Sequence, residues 1–186
     1  MDRDSGMHTE LTPNPDSVKW IVPCDVPANV PAVALEPGIS FRYSPLGVRL
    51  FAIEGVQSVL LARDSITINK APEVEWRPLG QAVSEAIREW QASSEPVLGE
   101  DYQPPPQEEG DEVLARIRRV LEEEIASYVE QDGGAIDLEG FESGVVKLRL
   151  RGACESCPNS AVTLKAGIES RLRQEIPEVQ RVESIG

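Results

Sequence analysis

From Ser93 to Gly110 the chain reads SSEPVLGEDYQPPPQEEG, with three consecutive prolines, two glycines and a cluster of acids. Proline fixes φ and removes a backbone donor, and neighbouring acids repel one another, so such a stretch is a poor core builder. It divides the 186 residues into two small folding segments rather than one large one. The expected layout is a disordered start over residues 1–10, a first segment over 11–92, a linker over 93–110 and a second segment over 111–186. Both segments mix helix and strand, so the expected fold class is α+β.

The first segment opens with two short strand signals, Val18–Val22 and Gly38–Tyr43. Ser44-Pro45 then reads as an N-cap followed by proline at the first helical position, with Val48, Phe51 and Ala52 continuing the helix to Gly55. Val56–Ala62 and Ser65–Asn69 are rich in β-branched and apolar residues, and the polar break at Arg63-Asp64 makes them a hairpin. A last helix is expected to open at Pro78, with Leu79, Val83, Ile87 and Trp90 on one face. Trp76 and Trp90 flank that helix as core residues.

In the second segment Val113, Ile117, Val120, Leu121, Ile125 and Tyr128 form one apolar stripe, which predicts a helix from Asp111 to about Glu130. Asp132-Gly133-Gly134 reads as its stop, since glycine takes positive φ readily. Ile136, Leu138 and Phe141 predict a strand, Ser143-Gly144 a turn, and Val146, Leu148 and Leu150 a second strand. Lys147, Arg149 and Arg151 alternate with the latter as a solvated face. Gly152–Asn159 is a loop. The next helix runs from Ser160 to Ile176, with Ala161, Leu164, Ile168, Leu172 and Ile176 inward, and Val179–Ile185 closes a small sheet. The order is helix, strand, strand, helix, strand.

Composition narrows the chemistry. The formal net charge of -14 repels a phosphate backbone, so nucleic acid is not an expected partner. No apolar run approaches the roughly 20 residues that span a bilayer. The start, MDRDSGMHTE, has no basic patch before an apolar stretch and mixes acids with bases, which argues against an export signal and a mitochondrial leader and sets the expectation at cytoplasmic. The one histidine, His8, leaves little room for histidine chemistry. No Ser/His/Asp set, phosphate loop or paired-acid constellation is recognisable, so an enzyme of those classes is not expected.

The three cysteines are Cys24, Cys154 and Cys157. An odd, small number argues against a disulfide framework. Cys154-Glu155-Ser156-Cys157 places two thiols in a polar loop between a strand and a helix, with Gly152 before and Pro158 after. Thiolates so spaced suit one soft metal, and a helix N-terminus favours both a thiolate and a bound anion. A dithiol redox pair and a zinc site shared by two chains use the same residues. Glu155 reads as an exposed loop acid. Cys24 stands outside the motif and reads as a small buried hydrophobe.

GACESCPNSAVTLKAGIESRLRQEIPEV resembles the signature of the NifU C-terminal (Nfu) domain, and VEQDGGAIDLEGFESGVVKLRLRG is similar to the region before it. Upstream, TPNPDSVKW at Thr12–Trp20, SPLGVRLFAIEGV at Ser44–Val56 and ITINK at Ile66–Lys70 resemble the Nfu N-terminal domain. The resemblance implies an iron–sulfur cluster carrier or scaffold with Cys154 and Cys157 as ligands. It implies a [4Fe–4S] cluster shared by the cysteine pairs of two protomers, a homodimer when loaded, supply from an upstream cluster donor, and transfer to apo-proteins. Four thiolates are the usual complement of such a cluster, and one C-x-x-C supplies two of them.

Overall fold

The computed structural model describes residues 7–27, 30, 32–104, 112–154 and 158–185, the side chains of 158–161 excepted. The chain forms two compact units, Met1–Pro105 and Pro106–Gly186. Each is α+β.

The first unit is a five-stranded antiparallel sheet in the order β1-β2-β5-β4-β3. Its strands are β1 (His8–Leu11), β2 (Ser17–Ile21), β3 (Ala32–Leu35), β4 (Val56–Ala62) and β5 (Ser65–Lys70). Its helices are α1 (Pro45–Phe51) and α2 (Trp76–Ser93). Alternate strand residues, among them Trp20, Leu35, Leu61, Ile66 and Ile68, join Leu46 and Leu50 of α1 and Leu79, Val83, Ile87 and Trp90 of α2 in one core. Ser44 caps α1: its hydroxyl accepts from the Gly47 N–H at 3.0 Å. The Arg63-Asp64 hairpin and the stripe on α2 form as the sequence predicts.

Four differences are physical findings. His8–Leu11, expected in a disordered start, is an edge strand paired with β2. Gly38–Tyr43 is not a strand. Gly38 has φ +90, and the Ser40 carbonyl takes the N–H groups of Tyr43 and Ser44 at 3.0 and 3.1 Å, so the backbone turns into α1. Its place at the sheet edge is taken by β3. Helix α2 starts two residues early, at Trp76, with Pro78 inside the first turn, where its missing N–H costs nothing.

The fourth concerns the segment expected to be linker from Ser93 onward. Val97 is 2% exposed and belongs to the core. The Ser44 hydroxyl donates to the Val97 carbonyl at 2.7 Å, Arg49 pairs with Glu95 at 2.8 Å, and the Gly99 N–H donates to the Tyr43 carbonyl at 2.8 Å. Tyr102 meets Tyr43 edge to face at 5.6 Å. Residues 94–102 are therefore a strap on the first unit. One apolar anchor and a few polar ones outweigh the unfavourable composition. The stretch 105–111 lies outside the described residues.

The second unit is a three-stranded sheet, β6 (Gly134–Glu142), β7 (Val145–Gly152) and β8 (Arg181–Ser184), in that order. β7 is central, antiparallel to β6 and parallel to β8. Val146, Leu148 and Leu150 of β7 face a core completed by Ile117, Val120, Leu121, Ile125 and Val129 before the sheet and by Ile168, Leu172 and Ile176 after it.

The helix before the sheet is interrupted: α3 (Glu112–Val120), a π turn (Leu121–Ile125), then α4 (Ala126–Gln131). The helix after β7, α5, spans Pro158–Glu175. A regular helix before the sheet would turn Tyr128 inward, as the stripe predicts. The π turn takes one residue more to close, so the residues beyond it lag by about 100°. Val129 takes the inward place at 2% exposed, and Tyr128 is 68% exposed. Glu124, in the π turn, is ion-paired with Arg171 of α5. The Lys147, Arg149 and Arg151 face is paired rather than open. These side chains meet Glu142, Glu139 and Asp137 of β6, each at 3.1 Å.

Candidate metal centre

Strand β7 ends at Gly152, with φ +64, and Ala153 and Cys154 form the turn beyond it. The turn is tied down by the start of the neighbouring strand β6. α4 stops at Gly133, whose φ of +76 any side chain would resist, and the Gly133 carbonyl accepts the Ala153 N–H at 3.1 Å. Gly134 pairs with Gly152 in the ladder. A Cβ built on Gly134 would stand 2.5 Å from Cys154 Sγ, 3.1 Å from the Arg151 carbonyl oxygen and 3.1 Å from Val129 Cγ1. Gly134 thus leaves the hollow in which the sulfur rests, with Val129 beside it because the π turn rotated it inward.

Cys154 is 4% exposed and belongs to the apolar core of this unit. That corrects the expectation of a thiol held in a polar loop. Cys157 and Glu155 lie outside the described residues. In sequence Cys157 directly precedes Pro158, the first residue of α5. Among the described residues no group of three or more His, Cys, Asp or Glu side chains is placed to hold a metal ion. The described donor is the sulfur of Cys154, a soft ligand suited to iron–sulfur chemistry.

Cys24 belongs to the first unit. It is 6% exposed, and its thiol donates to the Val22 carbonyl at 3.5 Å. Burial, then the charges of Asp25 and Asp64, push the thiol up to about 12. A thiol so disposed to keep its proton is a poor metal ligand, which agrees with reading Cys24 as a small hydrophobe.

Sequence reasoning treats Gly133 and Gly134 together as a helix stop and misses the second role. The signal is present: one glycine suffices to end a helix, and a second directly after it asks for another reason.

The geometry is that of a cysteine turn at the end of a central strand, cradled by a glycine pair. Comparisons with known proteins show the family. Residues 117–183 match the family model described as NifU-like domain, and residues 7–94 match that described as scaffold protein Nfu/NifU N terminal. A Drosophila erecta protein named NFU1 iron-sulfur cluster scaffold homolog, mitochondrial, is 39% identical over 187 residues, covering 98% of this chain and 66% of that protein. The human protein of the same name is 40% identical over 182 residues, covering 96% of this chain and 71% of its own length. The chain belongs to the Nfu/NifU family of iron–sulfur cluster scaffold proteins. It spans just under two thirds of the fly relative's length. A solution structure of a NifU-like protein from Saccharomyces cerevisiae aligns at a TM-score of 0.45 and 20% identity, over 54% of this chain and 92% of that one.

One expectation is overturned. The relatives are named mitochondrial, which points away from the cytoplasm. The cytoplasmic expectation rested on the charge pattern of ten residues, too short a stretch to decide a compartment, and the chain covers 66% of the fly relative's length. Among the described residues no helix is long and apolar enough to cross a membrane.

Proposed function

We propose that this protein holds a [4Fe–4S] cluster between the Cys154 and Cys157 pairs of two protomers and passes it to apo-proteins. The observation that carries the reading is the placement of Cys154 in the glycine cradle, inside the unit that matches the NifU-like domain. The cluster is cargo. It arrives from an upstream donor and leaves by ligand exchange: each iron–sulfur bond to this chain is replaced by one to an acceptor thiolate. The acceptor's proton is returned to the released thiolate, and no net electron moves. The protein acts by binding and release rather than by catalysis, and its relatives' names favour mitochondrial residence.

The residues on hand fit the cargo in kind, and they set one condition. A cluster shared by two protomers needs sulfur that can be reached from the surface, whereas Cys154 is 4% exposed. Loading therefore asks the turn over residues 152–154 to lift the sulfur from Gly134 and Val129. The test is anaerobic reconstitution with iron, sulfide and protein quantified, then sedimentation and incubation with an apo [4Fe–4S] enzyme. A coloured dimer with about two irons per chain that activates the enzyme is expected. A colourless protein that reduces disulfides instead would refute the carrier reading.

A further inference from the structure

The first unit carries a feature that the cysteine site does not use. Its two helices lie on one face of the sheet, and β1 extends that sheet past α2. Leu11 of β1, opposite Val18 in the ladder, is 89% exposed. Between β1 and α2 runs an open groove of about 960 Å³. Leu11, Val18, Trp20 and Trp76 supply its apolar part. A sheet face of this kind is normally covered by a second layer, and here one helix position beside α2 is bare.

The wall of the groove on the α2 side is a single ridge: Arg77, Gln81, Ser84 and Arg88. Ser84 is fixed in place, accepting from Trp20 Nε1 at 3.0 Å and donating to the Gly80 carbonyl at 2.7 Å. The two arginines are exposed and have no ion pair among the described residues. They stand three helical turns apart, about 16 Å along the axis. In a chain with a net charge of -14, Arg42 and Arg49 of this unit are engaged with acids, so two unengaged arginines at the ends of an apolar groove stand out. Glu89, also on the rim, is turned to Arg49 at 3.9 Å, which leaves Glu85 as the one opposing charge without a described partner.

We propose that this groove is the docking site for an amphipathic acidic helix of a partner protein. The helix lies beside α2 over β1, with an apolar ridge on Leu11 and Trp76 and with carboxylates on Arg77 and Arg88. Helix docking by an apolar ridge with flanking charges is an established recognition mode, and rim charges set orientation and on-rate. The inference is independent of the cluster reading, since it uses no residue of the second unit.

The test uses the full chain and a fluorescent synthetic peptide of about four helical turns, with leucines at i, i+3, i+4 and i+7 and glutamates spaced to meet both arginines. Binding is read by anisotropy against the native protein, the Arg77→Glu/Arg88→Glu variant and the Leu11→Ser variant. All three positions are exposed, and circular dichroism checks each fold. Saturable binding that weakens about tenfold or more in the double charge variant, and also in Leu11→Ser, is expected. A peptide with lysine in place of glutamate should bind more weakly to the native chain and recover on the charge variant. Equal binding to all three proteins, no binding at all, or equal binding of a proline-interrupted peptide that cannot form a helix would each overturn the proposal. A change in the sedimentation of the apo chain on charge reversal would overturn it too, by making the occupant a second copy.

Discussion

Gly134 and Cys154 stand so close that a single methyl group would separate them: a Cβ on Gly134 would lie 2.5 Å from Cys154 Sγ. Its other neighbours are the Arg151 carbonyl and Val129, so the added atom has backbone on one side and core on the other. Gly134→Ala should push the sulfur from its hollow and destabilise the second unit by about 1–3 kcal/mol, the usual range for overpacking. Because loading asks the sulfur to leave that hollow, iron per chain after reconstitution should stay near the native value while the apo unit loses stability. Gly140→Ala, at a position with nothing within 4 Å of its ideal Cβ, should show no such overpacking loss. Iron well below the native value in a folded Gly134→Ala chain would show instead that the sulfur must rest in the hollow for the cluster to be held.

Removing the thiols tests the ligand assignment. Cys154→Ala and Cys157→Ala should each abolish cluster uptake, while Cys24→Ala should retain it, with iron and sulfide counted per chain. The Cys154 variant should also lose stability. Cys154 contributes to the apolar core, so its truncation should cost on the order of 1 kcal/mol in urea unfolding. Iron at the native level in either ligand variant would sink the assignment.

Cys24 gives the first unit a dependence on alkaline pH. Its thiol is held up to about 12 against an ordinary 9.0, chiefly by burial. The proton is thus retained on folding and lost on unfolding between those values. The unfolded state then binds fewer protons, so stability falls as pH rises from about 9 towards about 12 and is fully present below 9. The slope from this one group is at most about 1.4 kcal/mol per pH unit. Denaturation of native chain and Cys24→Ala from pH 7 to 11 isolates it. The stability difference should be flat below 9 and move in the variant's favour above. A flat difference throughout would contradict it.

The strap predicts where the first unit can be cut. A fragment of residues 1–105 should be more stable than one of residues 1–93, by about 2 kcal/mol or more. The shorter fragment loses the burial of Val97, the Ser44–Val97 hydrogen bond and the Arg49–Glu95 pair. Equal midpoints in thermal unfolding would show the strap to be decoration. The complementary fragment, 106–186, contains a complete core and should fold and take up a cluster by itself.

The parts of the fold carried by local pattern were legible in the chain. The stripe on α2, the cap at Ser44 and the alternation in β7 each arise from side-chain periodicity or from one hydroxyl. What was not legible depended on the count of residues per turn or on distant partners. Tyr128 and Val129 exchange places because a π turn upstream adds a residue, and no side-chain pattern marks that addition. The stretch 94–102 looks like linker by composition and is held by Ser44, Arg49 and Tyr43, about fifty residues before it in the chain. In the candidate site, the cysteine pair announced itself by spacing. The role of Gly134 required knowing that β6 brings it beside the end of β7.

One hydroxyl has a consequence for how the first unit breathes. Ser44 Oγ accepts from the Gly47 amide and donates to the Val97 carbonyl, so the start of α1 and the middle of the strap share an atom. Neither can open alone without leaving that oxygen half satisfied in a place where its residue is 0% exposed. In native-state hydrogen exchange the Gly47 amide, in α1, and the Gly99 amide, in the strap, should therefore report the same opening free energy, as one cooperative unit. Ser44→Ala should lower both together, while the amides of β5, deeper in the sheet, keep their protection.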